Sequence, residues 1–368
     1  MTSTYTERLC NTLIELVRIP STSGHEEQVR DYLARQLTEL GLTSHVDSTG
    51  NLIAMLAGAG KSGKPLLLNA HMDRVPPGRG HEPVLRDGIL YSDGTTNLGA
   101  DDAAGIVIIL ETLRHVQQEQ LPHPPLVIVF TVQEETGLCG ANNIDLSAWP
   151  VADGIVFDNA FEAGVVVSAG SAYEAFDITI TGHTGHPGKA LAHTANAIDI
   201  FHTANYPYGS LHHDQTRINF GRISGGQARN AVPNHLFIEG ELRSFESAEA
   251  IQHYQHALRN AFKQAAVRLG GQAEVTFKTH ATGYTISPDE PLLQTYRRVL
   301  HQRGAELRMQ PTFIGSDTSG LRRTLRALTI STGVCNEHTT EEYVALAPLE
   351  QLVTDTIQVL AQWYEYAP

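Results

Sequence analysis

No run of the chain is long and apolar enough to cross a bilayer. The longest apolar stretches, such as Ile106 to Leu110 and Leu126 to Phe130, fall far short of the roughly 18 consecutive residues that a span needs. Positive charge is also scarce: 26 Lys and Arg stand against 40 Asp and Glu, a formal net charge of −14. Sequence-independent binding to nucleic acid or to an anionic membrane would work against electrostatics, so neither is expected as a partner. Around Glu7 and Arg8 the chain lacks an apolar segment with a small-residue cleavage site, which argues against a secretory signal and makes the cytoplasm the expected compartment. Cysteine is rare. Cys10, Cys139 and Cys335 are odd in number, widely spaced and without a CxxC pair, which fits reduced thiols better than a disulfide framework. GxSxG and HExxH are both absent, so serine-hydrolase and single-zinc protease chemistries lack their seed motifs. Internal repeats and low-complexity segments are absent too.

With 41% hydrophobic and 18% charged residues the chain is globular rather than disordered. Its 368 residues exceed one ordinary domain, so two packed units are expected. Capping-box spacing at Thr4/Glu7 and at Ser23/Glu26 predicts two opening helices, the second continued by Val29, Leu33, Leu37 and Leu40. Residues 51–56, 65–70, 126–132 and 154–157 read as strands, with helices over 103–116 and 139–144 between them. That alternation predicts an α/β fold: a mostly parallel sheet flanked by helices. From about residue 170 the pattern changes. Strands over 173–181, 218–223, 236–245 and 273–278, with helices over 193–204 and 248–269, follow the βαββαβ order of a ferredoxin-like α+β sandwich. After Pro288 the alternation returns and ends in a helix over 349–364. The expected organisation is a discontinuous catalytic domain, 1–169 and 283–368, interrupted by an inserted lid domain, 170–282. A homodimer formed through that insertion is left open.

The chain holds 18 histidines, which directs attention to metal chemistry. Two apparent motifs carry little. The GAGKS of Gly58 to Ser62 lacks the first glycine of a phosphate loop and leads into a strand, where phosphate binding needs a helix N-terminus. His183, His186, His193, His202, His212 and His213 are dense but share no repeating spacing, so solvated or packed histidines are expected for most of them. The informative pattern lies at element ends. His71 and Asp73 follow an apolar strand, Asp101 and Asp102 open a helix, Glu134 and Glu135 follow the next strand, and Asp158 follows another. In an open α/β sheet such ends converge on one edge. Carboxylates gathered there would repel one another without a cation. His338 adds a second imidazole from beyond the strand that ends at Thr332. Two histidines with three or four carboxylates are what a pair of zinc-like ions sharing one carboxylate needs.

The segments IPSTSGHEEQV, LNAHMD, LGADDAAG, FTVQEETGLCGA, VFDN, TGHTGHPGKA, GGQARNAVP, ELRSF and NEHTTEEYV, in that order and over essentially the whole chain, resemble the dinuclear zinc exopeptidases. That family includes peptidase T, glutamate carboxypeptidase, carnosinase and aminoacylase. The GADD context and the 33-residue step from Asp101 to Glu134 are most similar to the peptidase T, or aminotripeptidase, branch.

The resemblance implies two divalent metal ions, zinc foremost, with cobalt or manganese as alternatives. It implies that His71 binds one metal, Asp101 bridges both, Glu135 and Asp158 bind one each, and His338 completes the second. The residues alone leave the bridging role open between Asp101 and Asp102. The resemblance further implies that Glu134 is the general base toward a metal-bridging water and that Asp73 orients His71. His186 would stabilise the oxyanion, while Asn230, Arg243 and the backbone of Gly315 and Ser316 would contact a short peptide. Ala103 departs from the pattern, since relatives often carry Lys there. The implied activity is release of the N-terminal residue from short peptides. An N-acyl amino acid amidohydrolase or a carboxypeptidase would use the same site, and a non-catalytic peptide-binding relative should have lost Glu134 or a ligand.

Overall fold

The computed structural model describes residues 2–60, 63–189 and 193–366. Four apolar strands make the centre of the larger sheet, in the spatial order Leu126–Thr131, Leu66–His71, Asp153–Phe157, Arg326–Ile330. All three of their pairings are parallel. Leu66–His71 and Leu126–Thr131 are buried at every position, as expected for strands covered on both faces. Leu52–Leu56 adds antiparallel to Leu126–Thr131, and Val166–Gly170 antiparallel to Arg326–Ile330. Because the central four run the same way, His71, Thr131, Phe157 and Ile330 end on one edge, and the loops leaving that edge carry most of the candidate acids.

The helix Ala100–Gln118 is buried on almost every face. Small residues at its start let it approach the sheet: a Cβ on Gly105 would collide with the Phe157 carbonyl and the Asp102 carboxylate. It packs on the opening helix Thr2–Arg18 and the closing helix Leu346–Tyr366. Arg74 ties the opening helix to the strand that ends in His71. The residue is 2% exposed, and its guanidinium donates to the carbonyls of Leu16, Val17 and Ile19 at 2.8, 2.9 and 3.1 Å, at the helix C-terminus where carbonyls run short of intrahelical partners. Gly99, at φ 74°, makes the room, since a Cβ there would sit 2.6 Å from Arg74 Cδ.

The chain divides into two compact units, one of residues up to Ala169 and from Thr285, the other Gly170–Tyr284. The second is an antiparallel sheet in the order Gly209–Leu211, Thr216–Gly225, His235–Ser244, Ala172–Thr181, Gln272–Ala281. Ala197–Thr203 and Ala248–Leu269 cover one face of it, around Phe176, Ile178, Ile238, Leu242, Leu258 and Phe262. The βαββαβ order is therefore present, with Gly209–Leu211 as an added edge strand.

Two local expectations are corrected. The helix expected over 193–204 begins only at Ala197, where the Asn196 side chain accepts from the N–H groups of Ile198 and Asp199; Ala195 instead pairs with His183 in an isolated bridge. Ser23 and Glu26 do not form a capping box. The helix starts at Glu27, without a side-chain cap, and both side chains turn toward the sheet edge. Of the GAGKS segment, Lys61 and Ser62 lie outside the described residues, and Ala59 pairs with His123. Among the described residues no helix is long and apolar enough to cross a membrane.

Candidate metal centre

His71 is the last residue of its strand and is fully covered. Its Nδ1 lies 2.9 Å from the main-chain oxygen of Asp73 and 3.5 Å from the Asp73 carboxylate, which points Nε2 to Asp101 Oδ1 at 3.2 Å. The Asp73 carboxylate, fully buried, accepts the N–H groups of Glu134 and Glu135 at 2.9 and 3.2 Å and the Ser23 hydroxyl at 2.6 Å. Asp73 therefore fixes the loop that carries the two glutamates as well as the ring of His71. Glu26 adds to this support by accepting from Gln133 N–H at 3.1 Å.

Asp101 and Asp102 depart from helical φ/ψ at the start of their helix, and the bond between them is cis. Asp102 is turned inward, accepting from the N–H groups of His71 and Gly105 at 3.2 and 3.0 Å. Asp101 reaches the cluster: Oδ1 meets His71, and Oδ2 lies 3.2 Å from His338 Nε2. His338 sits in the turn between Val334–Cys335 and Tyr343–Ala345 with φ 64°, and its Nε2 is also 3.0 Å from Glu135 Oε1. Asp158, at the end of Asp153–Phe157, completes the set. Three groups of donor atoms lie within 4.8 Å of one another: His71, Asp101 and Asp158; Asp101, Glu135 and His338; and His71, Glu134 and Glu135.

The charge balance of this cluster is that of a cation site. Burial and the neighbouring charge of Asp101 push Asp158 up to about 8. Burial, with the charges of Asp158, Glu135 and Asp317, holds Glu134 well above the usual carboxylate range. Hydrogen bonds to Asp101 and Glu135 raise His338 to about 10. Burial opposes the ionised form of Asp101, but the hydrogen bonds from His338 and His71 outweigh it and keep its carboxyl low. Imidazole nitrogens and carboxylate oxygens crowded this closely are a donor set that fits divalent ions of the zinc type, which would relieve the repulsion. Ala103, the one departure from the family pattern, is buried and apolar, so it brings no charge to the cluster.

The remaining candidates are dispersed. His186 is exposed, and its Nδ1 accepts the Gly188 N–H at 3.1 Å. Asn230 is exposed in a turn. Arg243 stacks on Tyr173, with 4.2 Å from guanidinium carbon to ring centroid, and pairs with Glu241 at 3.1 Å. These three belong to the unit Gly170–Tyr284. Ser316 is buried with its hydroxyl 3.2 Å from Thr329 Oγ1, leaving only the backbone of Gly315 and Ser316 for any ligand.

Two buried acids escaped the sequence reading. Asp317, one residue beyond Ser316, accepts from the Thr131 hydroxyl and is raised to about 6 by burial. Glu342 accepts from the N–H groups of Gly99 and Asp101 at 2.9 and 3.1 Å, and burial lifts it to about 7. Asp317 follows a short strand, a signal of the kind that identified Asp158. Glu342 is one of four acids in NEHTTEEYVALAPLE, with no local mark to separate it from Glu337 or Glu341.

Known proteins resemble this chain over nearly its whole length. The uncharacterized protein YqjE of Bacillus subtilis (strain 168) is 30% identical over 366 residues, 96% of this chain and 97% of that protein. A crystal structure of a tripeptidase from Staphylococcus aureus subsp. aureus mu50 superposes with a TM-score of 0.92 at 29% identity, covering 98% of this chain and 99% of that one. Aminopeptidase PepT from Bacillus cereus ATCC 10987 superposes with a TM-score of 0.87 at 28% identity, covering 97% and 98%. A family model matches residues 67–365, a span that takes in every histidine and acid of the cluster, and the chain belongs to peptidase family M20/M25/M40.

Proposed function

We propose that this peptidase is a dinuclear zinc aminopeptidase that releases the N-terminal residue of short, unblocked peptides. The observation that carries the reading is the position of Asp101, shared between the group with His71 and Asp158 and the group with Glu135 and His338. One carboxylate common to two such groups is suited to bridge two ions, with Asp158 and Glu135 as their separate acids. With ions bound, His71, Asp101, Asp158, Glu135 and His338 would hold a Lewis acid able to polarise a carbonyl and acidify water.

Glu134 is the general base. It lies in the cluster but in neither of the two groups that share Asp101, so its carboxylate is left to take the proton of the attacking water and pass it to the leaving amine. Asp73 holds Glu134 through its main-chain N–H and keeps His71 Nε2 turned toward the ligand set. His186 donates to the developing oxyanion. In support, Gly188 N–H donates to Nδ1, so Nδ1 carries no proton in the neutral ring and Nε2 is the donor. Arg243 holds the far carboxylate of the peptide, and Asn230 with the backbone of Gly315 and Ser316 contacts the chain between. The likeness to a tripeptidase and to PepT supports the choice of short peptides.

The test is hydrolysis of trialanine, its N-acetylated form, a dipeptide and an N-acetyl amino acid by the zinc-loaded and zinc-stripped protein. Zinc-dependent release of the N-terminal alanine from trialanine is expected. Equal or faster cleavage of the acetylated compounds would replace the aminopeptidase reading with a deacylase one.

A further inference from the structure

One face of the Gly170–Tyr284 sheet is covered by its two helices. The other presents Tyr173, Arg243 and His280. The strand order sets His235–Ser244 and Gln272–Ala281 on opposite sides of Ala172–Thr181. Arg243 and Tyr173 are register partners, and a register shift between Thr279 and Ala281 leaves His280 beside Tyr173. The ring of Tyr173 is consequently clasped from both sides. The Arg243 guanidinium carbon lies 4.2 Å from its centroid, and the His280 ring stacks at 4.8 Å with 23° between the planes. Glu241, two residues along the strand from Arg243, accepts from its NH2 at 3.1 Å.

We propose that Tyr173 is a positioning residue for Arg243, holding its guanidinium in the plane that grips the terminal carboxylate of a short peptide. The proposal rests on the reading of Arg243 given above. A stacked guanidinium uses its π face for the ring and keeps its N–H edge for in-plane partners. Bidentate carboxylate recognition needs that edge presented in a fixed orientation. An arginine without the ring beneath it would have to be ordered by the substrate, and the loss would appear in binding. A clasp that only stabilised the sheet would not distinguish one peptide from another.

The experiment compares trialanine with its C-terminal amide, using the zinc-loaded full chain. Tyr173→Leu should raise KM for the acid about five- to tenfold, leave kcat near the parent value, and leave KM for the amide unchanged. Tyr173→Phe, which keeps the ring but loses the hydroxyl that also hydrogen-bonds Arg243, should stay clearly better than the leucine variant on the acid and match the parent on the amide. Tyr173→Thr, a second ring-free strand former, answers the same question if the leucine variant does not fold. Equal KM changes on acid and amide, or a phenylalanine variant as poor as leucine, overturn the positioning role. Arg243→Gln separates the two ideas. If it loses the preference for the acid while the ring-free variants keep it, the role of Tyr173 falls and the carboxylate reading stands. If it keeps the preference, both fall.

Discussion

Glu134 and Glu135 are chain neighbours to which the proposed mechanism gives different tasks, and their side-chain partners differ. Both are anchored to Asp73 by their main-chain N–H groups and both have raised proton affinity, but Glu135 Oε1 is held by His338 in the group with Asp101, whereas Glu134 joins only the group with His71 and Glu135. Glu134→Gln should therefore lower kcat by about a hundredfold or more, the range of a lost general base, with two metals still bound. Metal analysis and kinetics on one sample decide it, and loss of a metal would move Glu134 into the ligand set beside His71 and Glu135. At this scale most of the cluster was legible, because acids and histidines directly after apolar strands can be read from hydropathy alone. Asp102 was not separable from Asp101, since the backbone turn that points one inward and the other outward has no residue signature. Glu342 was invisible for a related reason: its partners, the N–H groups of Gly99 and Asp101, come from a segment more than two hundred residues away.

Strand and helix positions followed from periodicity, and the parallel centre followed from uniformly apolar strands. Errors arose where a polar side chain had a tertiary partner that competed with a local one. Ser23 and Glu26 have capping-box spacing, yet Ser23 donates to Asp73 Oδ2 and Glu26 accepts from Gln133. The helix gives up a side-chain cap, worth typically about 1 kcal/mol, and the loop bearing the glutamates is braced instead. Ser23→Ala should weaken zinc binding about tenfold or more, the effect of removing an outer hydrogen bond, while the melting temperature of the zinc-free protein moves little. Competition with a chelating indicator measures the first and a thermal scan the second. A variant that melts early with unchanged zinc affinity would return Ser23 to the helix.

Metal uptake is a property of the whole molecule, since its donors are gathered from segments between residues 71 and 338. In the metal-free protein, hydrogen bonds to Asp101 and Glu135 raise His338 to about 10. Burial disfavours the charged form of His71, but the hydrogen bonds to Asp101 and Asp73 outweigh it and keep its proton on. Zinc needs both rings deprotonated. Loading should release protons at neutral pH, and apparent affinity should climb as pH rises above neutral, because His71 and His338 both hold their protons there in the metal-free protein. Titration calorimetry in buffers of different ionisation heat measures the release, and none at pH 7 would contradict the donor set. Bound zinc at a hundred times its Kd should add about 2.7 kcal/mol to stability. The tie made by Arg74 extends the site's reach in a different direction. Three carbonyls at the end of the opening helix are the acceptors of a buried guanidinium, only three residues from His71. Changes that shift that helix end would strand a buried charge beside the candidate metal ligands, so a segment with no catalytic group of its own should tolerate substitution as poorly as the centre.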